Sequence, residues 1–142
     1  MNECNDMLNL IFEFSKATRS CQREWNCEGL TVMQFYILNL IAVRGAMELS
    51  SIHEALSVEK STTTRLIEPL IKRNLIIKEK CCADSRIVTV RLTEKGEEIH
   101  ERGWNCLESY TDAVTSTIPE EKRKDVIDNV RLFLKAIGET CC

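Results

Sequence analysis

The sequence predicts a mostly α-helical fold that carries one small β-hairpin. Three observations predict it. Over most of the chain, apolar residues recur at spacings of three and four, the mark of helices with one buried face. Between residues 75 and 92 the period shortens to two, in β-branched runs. Only five Gly and two Pro punctuate the 142 residues, too few for a sandwich of many turns.

Met7, Leu8, Ile11, Phe12 and Phe14, with Glu13, Lys16, Arg19 and Arg23 between them, make residues 5–24 an amphipathic helix. Thr31 and Gln34 then form a capping box, in which hydroxyl and amide satisfy each other's orphan backbone donors. The run Phe35 to Val43 is nearly all apolar, so a buried helix follows and stops at Gly45. Leu49, Ile52, Ala55 and Leu56 define a short helix, and Ser57-Val58-Glu59 breaks the chain. The next helix runs from Lys60 to Arg73 with Leu66, Ile67, Leu70 and Ile71 inside, and Ser61, Thr62, Thr63 and Arg65 near its start. Pro69 removes one backbone bond from this helix and is expected to tilt it.

Residues 75–80 and 86–91 alternate as two strands around Cys81-Cys82-Ala83-Asp84-Ser85, a hairpin. Leu92-Thr93-Glu94 opens a helix bearing Ile99, Cys106, Leu107, Tyr110 and Val114. Pro119, with Glu120 and Glu121 at the positive end of the dipole, opens the last one. There is no internal repeat and no low-complexity segment.

A short helix, a three-residue break, a second helix and a hairpin make up the layout of a winged helix-turn-helix. In that layout the second helix offers its N-terminal side chains to base edges, and small hydroxyl residues let the backbone come close. Ser61, Thr62, Thr63 and Arg65 suit that task. Lys60 and the hairpin's Lys78, Lys80 and Arg86 suit phosphates or the minor groove. The competing explanation for Ser61 to Thr63 is plain N-terminal capping. Charge favours the first: residues 60–95 hold nine Lys/Arg against four acids, a local +5 inside a chain whose net charge is −3. A polyanion answers to the field within about 8–10 Å rather than to the total.

Leu30-Thr31 with Gln34-Phe35, Lys60 to Ile67, Leu70 to Ile76, Asp84-Ser85-Arg86 and Val90 to Gly96 resemble the MarR family of bacterial regulators over nearly the whole chain. The Asp-x-Arg of the hairpin and the Leu-Thr-x-x-Gly exit are the most specific pieces. The resemblance implies a winged helix-turn-helix with N- and C-terminal dimerisation helices, in one domain over 1–142. Residues 5–28 and 97–142 would then be dimerisation helices and 31–95 the winged-helix lobe, with the helix-turn-helix at about 49–72 and the wing at about 75–92. It further implies a homodimer on double-stranded DNA at a pseudo-palindromic operator, usually a repressor released by a ligand or oxidant. By position, Asp84 would anchor the wing and Arg86 would reach the minor groove. The chain departs from the family by placing Cys81-Cys82 in a short wing loop where charged residues are more usual, and by Pro69.

Eight cysteines raise redox and soft-metal chemistry. Thiols are expected rather than structural disulfides, since the N-terminus lacks the features of a secretory signal and a cytoplasmic protein is expected. Cys81 and Cys82 are adjacent and near the DNA side. Adjacent thiols chelate soft ions, whereas a disulfide between them closes a strained ring. Cys4, Cys141 and Cys142 lie near opposite chain ends and suit an intersubunit redox pair. Cys21 and Cys27 complete no zinc site, and Cys106 reads as core filler. His53 and His100 have no second ligand nearby and read as structural or surface residues. Trp25 and Trp104 suit packing first and an effector pocket second. No cofactor is required, and the effector is a small aromatic ligand or a soft metal(loid).

No stretch is apolar over the length a membrane span needs, so no membrane partner is expected. Without a Gly-rich phosphate loop or a nucleophile–base pair, there is little from which to build an enzyme. Two other classes compete: a compact monomer with its terminal stripes folded inward, and a winged helix that binds protein instead of DNA.

Overall fold

The computed structural model describes residues 3–25 and 27–140; of the side chains of Cys4 and Glu24 nothing is said. Cys141, Cys142 and the thiol of Cys4, named above as a redox set, lie outside the described residues. The chain forms α1 (Glu3–Glu24), α2 (Val32–Arg44), β1 (Met47–Glu48), α3 (Leu49–Leu56), α4 (Lys60–Lys72), β2 (Ile76–Lys80), β3 (Val88–Leu92), α5 (Glu94–Ser116) and α6 (Glu120–Thr140). Mostly helix with a small antiparallel sheet, this is a winged helix-turn-helix. It divides into two compact units, residues 1–104 and 105–142.

In the first unit, α2 starts where the capping box predicts. Thr31 accepts the Gln34 N–H at 3.2 Å and its own N–H donates to Gln34 Oε1 at 3.0 Å. The helix ends at Gly45, whose φ of 80° lies in the left-handed region that a side chain would strain. Ser57, with φ 50°, makes the turn from α3 into α4. The continuous helix α4 passes through Pro69 without a break.

The sheet runs β1-β3-β2, all antiparallel. Lys78 stands opposite Val90 and Lys80 opposite Val88. Strand β1 was not expected; Met47 and Glu48 pair with Val90 and Thr89, and two residues are too few to show a period. The second hairpin strand begins at Val88 rather than Arg86, because residues 84–87 are used in a turn closed by Ile87 N–H to Asp84 O at 3.1 Å.

The core is built where α2, α3 and α4 meet the sheet. Ile37, Leu38, Ile41, Ile52, Ile67, Leu70, Leu75, Ile76 and Val90 are fully buried. Each such side chain contributes about 1.5–3 kcal/mol relative to exposure. Thr93 joins the wing to α5: its hydroxyl donates to Asn74 O at 2.7 Å and accepts the Gly96 N–H at 3.0 Å. By contrast α1 leaves Met7, Leu8, Leu10, Ile11, Phe12 and Phe14 exposed, Phe12 at 62%.

The second unit holds the end of α5 and all of α6. No residue of α6 is buried, and Val126, Ile127, Val130, Leu134 and Ile137 stand open at three- and four-residue spacings. Cys27 and Cys106 are each disulfide-bonded, which corrects the expectation of thiols throughout; Cys106 is exposed rather than core filler. Sequence spacing carries no information on such bonds, which depend on approach in space.

Candidate nucleic-acid interface

α4 presents its first turn to solvent because its apolar stripe, Ile67 and Leu70, pins the opposite side to the core. Lys60, Ser61, Thr64 and Arg65 are exposed and Thr62 is half-buried. None of the hydroxyls caps the helix. The N-cap position is Glu59, whose side chain makes no capping bond, so the Ser and Thr residues lie inside the helix. The exposed N-terminus is a site where the dipole favours an anion such as phosphate.

Thr63 turns inward. It is 2% exposed, and its hydroxyl lies 3.3 Å from His53 Nδ1 on α3. Its position follows from the helix period, since Thr63, Ile67 and Leu70 fall on one face. That periodic signal could have placed Thr63 inside from the sequence. Thr64, not singled out in the sequence, takes the outward position and donates to Lys60 O at 3.1 Å.

The wing loop is closed by the Cys81 N–H to Ile87 O at 3.0 Å. Asp84 Oδ1 accepts the backbone N–H of Arg86 at 2.9 Å and stands 3.9 Å from its guanidinium Nε. The Arg86 side chain, 93% exposed, therefore leaves a defined turn with its charge in solvent. Lys78 and Lys80 are exposed on β2, while Arg91 is held by Glu79 at 2.8 Å. Cys82 is exposed and Cys81 half-buried; both are free thiols. Backbone N–H groups of Asp84 and, less strongly, Ala83 lower the Cys81 pKa from its ordinary value, outweighing slight burial and the Glu48 charge.

The helix tip and the wing meet around a cleft of ≈490 Å³. Its lining includes Ser50, His53, Lys60, Thr63, Thr64 and Arg86, together with the acids Glu48 and Glu54. Lys60, Thr63 and Arg86 are thus brought together; Lys78, Lys80 and Asp84 are not part of its wall.

Away from this face, Trp25 packs against Phe35 with ring centres 5.7 Å apart, Phe35 stacks on His100 at 5.5 Å, and His100 meets Trp104 at 6.1 Å. His100 Nε2 also lies 3.0 Å from Asn39 Oδ1. Burial lowers the His100 pKa. The ring borders a second cleft, of ≈460 Å³, with Ile41, Ala42, Arg91 and Glu97. Trp25 Nε1 is buried without a hydrogen-bond partner. Among the described residues no group of three or more His, Cys, Asp or Glu is arranged to hold a metal ion, and no helix is long and apolar enough to cross a membrane.

Residues 30–88 match the model of the MarR family. The chain is 24% identical over 123 residues to the HTH-type transcriptional regulator BilQ of Clostridium symbiosum, covering 87% of this chain and 83% of that one. Among solved structures, a MepR-like protein complexed with pseudoligands is 27% identical, with a TM-score of 0.70 over 99% of this chain and 98% of that one. A mutant MarR from E. coli complexed with operator DNA shares the fold, at 19% identity and a TM-score of 0.77 over 96% of this chain and 99% of the other.

Proposed function

We propose that this chain is a transcriptional regulator of the MarR family, whose model residues 30–88 match, and that it binds a pseudo-palindromic operator as a homodimer, represses there, and is released by an effector. One observation carries the proposal. The exposed first turn of α4 and the exposed Arg86 flank a single cleft, so a helix tip and a cationic wing face the same way.

In this arrangement Ser61, Thr62, Thr64 and Arg65 meet the major groove, while Lys60 and the N–H groups of the first turn meet phosphate. Arg86 reaches the adjacent minor groove, with Asp84 holding its turn, and Lys78 and Lys80 run beside the backbone. Thr63 acts from inside, bracing α4 on His53. Glu48 and Glu54 in the cleft wall repel a misplaced phosphate.

A homodimer explains the exposed apolar rows of α1 and α6, which exceed what isolated surface residues account for. Twofold symmetry then dictates two half-sites about one helical turn apart. The E. coli protein that shares the fold was solved on operator DNA, and the MepR-like protein with pseudoligands. Release by a small aromatic ligand is supported by the ≈460 Å³ cleft beside His100, where Arg91 offers a cation and Ile41 an apolar wall.

Sequencing the genomic fragments that the purified protein retains tests the proposal. Enrichment of an inverted repeat with that spacing is expected. Retention without any shared sequence overturns it.

A further inference from the structure

The wing loop carries two adjacent free thiols, Cys81 and Cys82, for which the proposed DNA contacts have no use. Their surroundings differ. Cys82 is exposed, whereas Cys81 is half-buried and closes the loop, its N–H donating to Ile87 O at 3.0 Å. The Ile87 N–H in turn donates to Asp84 O at 3.1 Å, and the Asp84 carboxylate accepts the Arg86 N–H at 2.9 Å. A chain of three contacts thus runs from the residue that carries a thiol to Arg86, whose side chain is 93% exposed.

Two neighbouring thiols do not suit every thiophile. Tetrahedral zinc wants four ligands, and among the described residues no third His, Cys, Asp or Glu stands ready to help. A disulfide between adjacent residues closes a strained ring. A centre that takes two thiolates and carries its remaining ligand with it is well matched, because one inserted atom lengthens the bridge.

We propose that Cys81 and Cys82 form a two-thiol site for trivalent arsenicals and equally thiophilic ions, and that its occupation loosens the turn holding Arg86. With an arylarsonous acid, two S–As bonds form as two As–OH bonds break. The two thiol protons leave with the two hydroxyl groups as two waters, and arsenic remains trivalent. Once one arsenic holds both sulfurs, the side chains of Cys81 and Cys82 must turn toward each other, and the Cys81 N–H is drawn away from Ile87 O, the bond that closes the loop. The turn at Asp84 then no longer fixes Arg86. Only the loss of Arg86 as a DNA contact rests on the proposed function; the site itself does not.

The full chain treated with phenylarsine oxide tests both halves, by peptide mapping under non-reducing conditions and by titration with the operator duplex. One phenylarsenic bridging residues 81 and 82 is expected, with duplex affinity falling roughly tenfold, within the usual span of coupling between two ligands. Cys81→Ser/Cys82→Ser, which leaves the loop-closing backbone bond from residue 81 to Ile87 in place, should be insensitive at the wing. Cys82→Ser alone should bind the reagent so weakly that excess monothiol strips it. Arsenic found only on other cysteines overturns the site. Arsenic bridging 81 and 82 with affinity unchanged overturns the coupling. A protein that takes arsenic at the wing but binds no duplex even untreated contradicts the proposed function instead, leaving the site standing.

Discussion

The imidazole of His53 on α3 lies 3.3 Å from the buried hydroxyl of Thr63 on α4, tying the bracing helix to the first turn of the helix it supports. Both residues also line the cleft between that turn and the wing. Their contact fixes the direction in which Ser61, Thr64 and Arg65 project.

Thr63→Val removes the hydroxyl while keeping the shape. Urea unfolding should show a loss of about 1 kcal/mol, the ordinary worth of one such bond. Duplex affinity should fall as well, although no contact to DNA has been removed. Undiminished stability and affinity together would show that the brace does not matter.

Arg65→Ala should cost about 1–3 kcal/mol of binding if the guanidinium meets a guanine, and should relax preference at one base position. Arg86→Ala should weaken binding with less change in preference, because the minor groove distinguishes bases poorly. Competition titrations against single-base variants of the duplex measure both. Wild-type binding by both variants would place the DNA face elsewhere.

Gly96→Ala should lower stability by about 1–3 kcal/mol, as overpacking does. A Cβ there collides with the carbonyl of Leu75, backbone that cannot swing away. The measurement is the denaturation midpoint, and an unchanged midpoint would mean that α5 and the wing exit are less closely packed than described.

Burial lowers the His100 pKa below its ordinary 6.5. The folded state therefore resists the proton that the unfolded chain accepts, and the sign follows. Stability is unaffected above 6.5 and declines as pH falls through 6.5 toward the lowered value. Melting curves over this window should drop more for the wild type than for His100→Gln, whose amide can still face Asn39. Parallel curves would assign the acid sensitivity to other groups.

Local chemistry made much of this architecture legible in the sequence. Thr31 and Gln34 marked the start of α2, Gly45 its end, and the 3.6-residue stripe of Ile67 and Leu70 oriented α4. The same stripe extends back to Thr63, so reading Ser61 to Thr63 as one outward cluster overlooked the period. Strand β1 was hidden because its pairing with β3 is set by the partner strand, not by its own two residues. The start of β3 shifted because Asp84 spends the next residues on a turn. The bonds at Cys27 and Cys106 were hidden as well, because chain separation does not encode proximity.

The most direct test of the central claim, that the α4 tip and the wing jointly grip a duplex, is the salt dependence of operator affinity for the wild type and for Arg65→Ala/Arg86→Ala. For the wild type, the logarithm of affinity should fall steeply with the logarithm of salt, by about 0.9 for each phosphate neutralised. The double variant should bind more weakly, with a slope shallower by roughly one for each guanidinium that met phosphate. A wild-type affinity that scarcely responds to salt, or a double variant with the same affinity and slope, would contradict it.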